Sequence, residues 1–339
     1  MRCPQENAGH RVAPAKAHRR EDLRHHPADG AGYVLSMTMA RLDTLLAAPS
    51  VKSWSRICAM LDAWPDASSL EAAVAAVDSS VSRWPEKGMS MLSGWPLPNR
   101  AAPRAWAQAI KRGRVPPAWM LVRLLQYHAV PLTLADVTSI LGSDQLTQIT
   151  HLYLGMAHLK PPLLGMLADA ADKLPALEAI SLFGNRLTGD RMDDFLLQLG
   201  GQLTYLNLGS CRLGDEDIAA IARSENLMNL RGLDLSGCRF SPSGLDAFME
   251  TARLPDLIVL PLSPYGVGGR QTSHDHEHHA QKQGPRHLRR AAWAGQLSRE
   301  KPAELKERCR TAKLRGHSRG GKHHLITLLL EHWDDVMPS

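Results

Sequence analysis

Two stretches one repeat apart, LTYLNLGSCRL at residues 203–213 and LRGLDLSGCRF at 230–240, share a frame in which an apolar residue is followed by others three, five and ten positions later. The frame recurs upstream as ITHLYLGMAHL at 149–159 and LEAISLFGNRL at 177–187, and a shortened copy, LIVLPLS, begins at 257. Successive copies start 28, 26, 27 and 27 residues apart. Alternate residues of a short LxL strand point to opposite faces, so the framed leucines line an interior that one copy cannot close alone. A fixed period of this length predicts stacked copies burying a continuous core.

After each strand comes a segment such as GDRMDDFLLQLGGQ or GDEDIAAIARSEN, with apolar residues at helical spacing and acidic residues in the first turn, where they favour the helix dipole. Helices therefore form the convex side. Asn185, Cys211 and Cys238 take the turn position three residues after the last strand leucine, and Ala157 holds it in the copy at 149. The two cysteines are read as small buried hydrophobes rather than redox or metal groups.

Frame and period together resemble the longer, ribonuclease-inhibitor-like class of leucine-rich repeat, over about a third of the chain. The resemblance implies an α/β solenoid, with short parallel strands on the concave face and helices on the convex face. Leu121 lies 28 residues before Ile149, so LVRLLQYHAVPL reads as a degenerate extra copy with Pro131 where a leucine belongs. The solenoid is expected over 121–263.

Strand residues that alternate with the leucines face the concave surface: His151, Tyr153, Ala179, Ser181, Phe183, Tyr205, Asn207, Gly232, Asp234 and Ser236. Aromatic side chains on an open face often anchor a partner, and His151, Tyr153, Phe183, Tyr205, Asn207 and Asp234 are the candidate protein-binding set. A solvated sheet face carrying neutral aromatics is the bland alternative.

Residues 1–36 are rich in Arg, His, Ala and Pro without apolar periodicity, and disorder is expected there. Amphipathic patterning begins just after Met37 and Met39, so a start of translation at one of these methionines is the sharper expectation. From 37 to 120 the runs LDTLLAA, WSRICAMLDAW and SLEAAVAAVDSSVSRW have helical spacing and end at prolines, which predicts an α-helical region able to cap the solenoid. Tryptophans 54, 64, 84, 95, 106 and 119 are read as core or cap packing.

Residues 264–300 read as a basic, His-rich linker. Its tract from His274 to His279 has metal-ligating side chains but lacks the spacing of a closed zinc site, so neither metal nor cofactor is expected. Residues 301–335 read as helix, extended loop, helix, with Leu305 and Cys309 on one apolar face, Leu314 in the loop, and Leu325, Ile326, Leu328 and Leu329 on the second helix. Leu305-Lys306, Leu314, Gly316, Ser318, Lys322 and Leu325-Ile326 follow a spacing similar to the SAP domain and the N-terminal domain of transcription terminator Rho. The loop is about two residues longer than in SAP domains, and Gly320-Gly321 replace larger residues. The resemblance implies DNA or RNA binding. Lys306, Arg310, Lys313, Arg315, Arg319 and Lys322 cluster around the helix ends and loop, where they would meet phosphates. A basic hairpin docked on an acidic protein surface is the alternative.

Charge is distributed in the same sense. From Pro285 to Ile326 there are 12 Lys and Arg against three Glu, a net of +9, whereas 149–262 carries 9 basic and 14 acidic residues, a net of −5. Across 339 residues no window reaches the roughly 18 consecutive apolar residues of a membrane span. Five scattered cysteines without metal-finger spacing fit a reducing, cytoplasmic setting. P-loop, GxSxG, HExxH and paired Cys-His signatures are absent from the sequence, so a non-enzymatic adaptor is expected: a protein partner on the concave face, nucleic acid at the C-terminal module, no membrane. A protein-only scaffold is the second reading.

Overall fold

The structure, a computed structural model, describes residues 27–81, 117–127, 132–159, 162–187, 191–262, 284–318 and 320–336. Helices α1 (Pro27–Leu46), α2 (Val51–Asp62) and α3 (Ala67–Val81) come first. Next are a 3-10 turn at Pro117–Leu121, strand β1 (Leu124–Gln126), α4 (Leu134–Leu141), β2 (His151–Tyr153), α5 (Leu163–Asp169), β3 (Ala179–Ser181), α6 (Met192–Leu199), β4 (Tyr205–Asn207), α7 (Asp215–Arg223), β5 (Gly232–Asp234) and α8 (Pro242–Thr251). The C-terminal part holds α9 (Arg286–Arg299), α10 (Pro302–Thr311), α11 (Lys322–Glu331) and α12 (Trp333–Val336).

The five strands form one parallel sheet in the order β1-β2-β3-β4-β5. Its register aligns Leu125, Leu152, Ile180, Leu206 and Leu233 across neighbouring strands, all buried. The copy at 257 adds a single bridge, Gly232 to Val259. This register corrects the start of the first repeat from Leu121 to Val122. Val122, Leu125, Tyr127 and Leu132 occupy the framed positions and are buried, so Pro131 does not stand in for a leucine. Leu121 instead joins the N-terminal cluster, while its neighbours Trp119 and Val122 enter the core of the repeats.

The turn position carries side-chain hydrogen bonds to the preceding repeat, which the reading of its cysteines as plain hydrophobes does not include. Asn185 Nδ2 donates to Leu154 O (2.8 Å) and Leu182 O (2.9 Å), and its Oδ1 accepts from Leu159 N (3.1 Å). Cys211 Sγ donates to Leu182 O at 3.1 Å and Cys238 Sγ to Leu208 O at 3.2 Å, each reaching the preceding repeat. Burial pushes the Cys238 thiol up to about 11 and the Cys211 thiol higher still, so both stay protonated. On the convex side the first-turn acids do more than meet the dipole. Asp215 of α7 accepts from Ser241 N and Oγ at 2.6 Å each, tying its helix to the cap of α8, and Asp217 accepts from Gly214 N at 2.8 Å.

Helices α1 to α3 pack Leu42, Trp54, Ile57, Leu61 and Val77 against Ala118 and Leu121. Asp62 accepts from Ala118 N (3.1 Å) and Asp78 pairs with Arg123 (2.7 Å), fastening these helices to the first repeat. Helix α1 begins at Pro27, which corrects the expected disorder over 27–36; GAGYVLSM continues the helix N-terminally despite its two glycines. Trp54 and Trp119 are buried, with Trp119 Nε1 donating to Gln145 O at 2.7 Å, and Trp64 is half-buried. Trp84, Trp95 and Trp106 lie outside the described residues, as does the tract from His274 to His279.

The largest correction concerns the expected linker. Residues 286–299 form α9, whose Leu288, Ala291 and Ala292 enter the core of the repeats while Trp293 and Leu297 enter the core of the C-terminal helices. Three alanines and a glycine stand among its seven buried residues, so an Arg- and His-rich composition conceals an apolar helix. In the second core, Trp333 meets Trp293 edge to face, ring centres 5.1 Å apart, and Arg290 Nη2 donates to Leu330 O at 3.1 Å. Leu305, Cys309, Leu314, Leu325 and Leu329 complete it.

Candidate functional site

The sheet face opposite the leucine core, expected to be the concave one, is built from three columns of residues one repeat apart. The first runs Leu124, His151, Ala179, Tyr205, Gly232; the second Gln126, Tyr153, Ser181, Asn207, Asp234; the third contains Phe183, Gly209, Ser236. Large side chains are seated on small ones from the next strand. A Cβ on Gly232 would lie 2.6 Å from Cδ2 of Tyr205, and one on Gly209 would lie 3.1 Å from Cδ2 of Phe183. The expectation of a fully open face therefore needs correction: Tyr153 is only 8% exposed and Ser236 only 3%. His151, Ser181, Phe183, Tyr205, Asn207 and Asp234 remain half-buried, each offering part of its surface to solvent.

Local bonds fix these groups. Thr150 Oγ1 and His151 Nδ1 are 2.8 Å apart, and the His151 ring meets Tyr153 edge-on at 6.2 Å. Asn207 Oδ1 accepts from Gly209 N at 2.9 Å while its Nδ2 donates to Tyr205 Oη at 3.3 Å. Asp234 Oδ1 accepts from Ser236 N at 2.9 Å and Ser236 Oγ at 2.5 Å. Burial lowers the His151 pKa despite the nearby Glu178, so the ring is neutral near pH 7. Burial raises the Asp234 carboxyl against the opposing pull of the Ser236 bonds and the Arg299 charge. Burial likewise pushes the Tyr205 hydroxyl far above its usual range.

Arg299 is the group that sequence reasoning missed. It ends α9, which packs Leu288, Ala291 and Ala292 on the core of the repeats, and its positive charge opposes burial at the Asp234 carboxyl. Treating 264–300 as linker gives no means of placing it there. The columns themselves are legible: Tyr205 against Gly232 and Phe183 against Gly209 appear once the copies are stacked with a one-repeat offset.

The second candidate surface is the loop between α10 and α11. Lys313 and Arg315 are exposed, Lys306 and Lys322 are half-buried, and none of the four has an ion pair among the described residues. Arg310 is held by Glu307 at 3.0 Å, and Arg319 lies outside the described residues. Arg308, outside the candidate set, makes a two-pronged pair with Glu300, both contacts at 2.7 Å. His317 Nδ1 donates to Leu314 O (2.7 Å) and His324 Nε2 to Gly316 O (3.3 Å), closing the loop on itself. Lys313 and Gly316 adopt left-handed backbone angles, φ +54° and +89°, which turn the chain from one helix toward the other. Among the described residues no cluster of His, Cys, Asp or Glu is arranged to hold a metal ion.

Comparison with known proteins agrees with this geometry. Residues 203–222 and 226–249, which take in β4, β5 and most of α7 and α8, match the Leucine Rich repeat family. A stretch of 79 residues is 35% identical to leucine-rich repeat-containing protein 14 from Bos taurus, covering 23% of this chain and 16% of that relative. The chain thus matches about a sixth of the relative's length. The parallel sheet, its one-repeat register and these matches make the region a leucine-rich repeat structure with an α/β architecture. No described helix is long and apolar enough to cross a membrane.

Proposed function

We propose that this protein is a non-enzymatic, cytoplasmic scaffold that binds a protein partner on the concave face of its repeats. One observation carries the reading: Phe183, Tyr205 and Asn207 are held in fixed positions, half-exposed, on the face of the sheet away from the leucine core. Rigid aromatics with a polar neighbour give large contact area at little entropic cost, the pattern of interface anchors. Tyr153, on the same face, is buried among its neighbours and offers a partner little surface. A photo-cross-linking residue at position 183 of the full chain tests this, with position 197 on α6 as control, since Leu197 is 61% exposed on the convex side. A discrete protein adduct from 183 but not 197, lost on Asn207→Ala, supports the concave site. Equal labelling from both positions removes it.

A second reading adds nucleic acid at the α10–α11 loop. It rests on Lys306, Lys313, Arg315 and Lys322, four cations without an ion pair among the described residues, which contrast with the paired Arg308 and Arg310. Contacts of this kind release counterions from a phosphate backbone, so binding falls steeply with salt. Fluorescence anisotropy of the full chain with labelled DNA and RNA over a salt series decides it. Binding abolished by alanine at all four positions makes the protein an adaptor, and no binding at low salt leaves the protein scaffold alone.

A further inference from the structure

The sixth copy of the repeat has an outer side that the sheet does not use. Val259 and Pro261 turn their backbone toward β5: Val259 N donates to Arg231 O at 3.1 Å, and Leu233 N and Leu235 N donate to Val259 O and Pro261 O at 3.0 Å each. Backbone groups alternate in direction along an extended chain, so those of Leu260 and Leu262 face away from β5. Proline often guards an edge strand because it lacks an N–H. At Pro261 the missing N–H belongs to the inner side, which weakens the join to β5 and leaves the outer edge unguarded.

Helix α9 covers that edge. Ala291 O accepts from Leu260 N at 2.8 Å. One turn later a Cβ on Gly295 would lie 2.6 Å from Leu260 C, Leu260 O and Pro261 N, so helix and strand backbones touch directly. Leu288, Ala291 and Ala292 cover the apolar end of the core from the same helix.

We infer that α9 is a lock over a concealed self-association edge, and that the sixth repeat of one molecule pairs with the sixth repeat of a second copy when α9 is displaced. Whatever replaces α9 must satisfy the outward backbone of Leu260 and also cover the uncapped core around Leu257, Leu260 and Leu262. The end of a second solenoid does both. Two identical edges related by a twofold axis meet antiparallel and close as a dimer.

The test uses the full chain with Gly295→Val, which separates the backbones, and independently Leu288→Asp, which lifts the same helix without touching the strand. Amide hydrogen exchange follows Leu260 and Leu233, and light scattering follows mass across a concentration series from the 37.3 kDa monomer. In the wild type the Leu260 amide is as protected as that of Leu233. Both variants are expected to speed exchange at Leu260 by at least about tenfold when monomeric, keep Leu233 protected, and shift to twice the monomer mass as concentration rises. Adding Leu260→Pro, which deletes the outward N–H, returns the mass to the monomer. Rapid exchange at Leu260 in the wild type overturns the inference. So do variants that stay monomeric with Leu260 freed, a dimer that survives Leu260→Pro, and loss of Leu233 protection in both variants, since no paired edge then outlives α9.

Discussion

The ring of Tyr205 lies over Gly232 of the following strand, so close that an added Cβ would sit 2.6 Å from Cδ2. Phe183 and Gly209 repeat the arrangement one strand earlier. The sheet face opposite the leucine core is thus a layer packed on itself, with each ring held by the absence of a side chain beside it. Replacing Gly232 with Ala is expected to destabilise by about 1–3 kcal/mol, because the ring must move off its rotamer. Urea unfolding measures this. Combining Gly232→Ala with Tyr205→Ala restores part of the loss, and strict additivity of the two changes contradicts the seating.

Asn185 satisfies three buried backbone groups, whereas Cys211 and Cys238 contribute weaker sulfur donors at equivalent places. Asn185→Ala leaves Leu159 N and Leu154 O without partners and is expected to cost about 2–4 kcal/mol. Cys211→Ala costs about 1 kcal/mol, mainly through lost packing. The order of the two midpoints in chemical denaturation checks the claim, and a larger loss at Cys211 reverses it.

Framed leucines dictate the strands, their direction and the helical convex side, because a fixed offset leaves one way to align the copies. Three features escape that logic, each because side-chain size matters more than polarity. The first repeat starts one residue later than its leucines suggest, since Tyr127 stands where a leucine is normal and Leu121 and Leu124 offer a false start. Helix α9 has the composition of a linker because its buried face is made largely of alanine and glycine, whose role is close approach rather than hydrophobicity. Tyr153 is buried although it alternates with the core leucines. Alternation along a strand tells which face a residue is on, and only the neighbouring strand tells whether that face has room.

Tyr127 is fully buried, with no hydrogen-bond partner for its hydroxyl among the described residues, and the nearby Asp136 adds to burial in keeping that hydroxyl protonated. Tyr127→Phe keeps the ring and deletes the unsatisfied group. Stability is expected to hold or rise by up to about 1 kcal/mol. A melting temperature lower by several degrees contradicts this and reveals a partner for the hydroxyl.

His151 has a folded pKa below its ordinary value of 6.5, owing to burial. As pH falls below 6.5 the unfolded chain therefore takes up this proton before the folded one, and the folded state loses ground. Asp234 works in the opposite sense. Its raised pKa gives a contribution present in full below 3.8 and lost as pH rises through the folded value. Comparing the wild type with His151→Gln isolates the histidine. The wild type loses more stability between about pH 6.5 and pH 5, while both behave alike above pH 7. Parallel curves throughout contradict a buried neutral ring.

Helix α9 places one side in each of two hydrophobic cores. A gene fragment encoding 284–336 therefore does not specify a portable domain: half of what its first helix buries belongs to the repeats. Exchange of this C-terminal segment between unrelated proteins would have to bring along a matching sixth repeat, with a backbone N–H at the place of Leu260 to meet the helix that carries Gly295. The two halves are one unit of inheritance, and a chimera joined anywhere between 263 and 283 is expected to express poorly unless both sides come from the same parent.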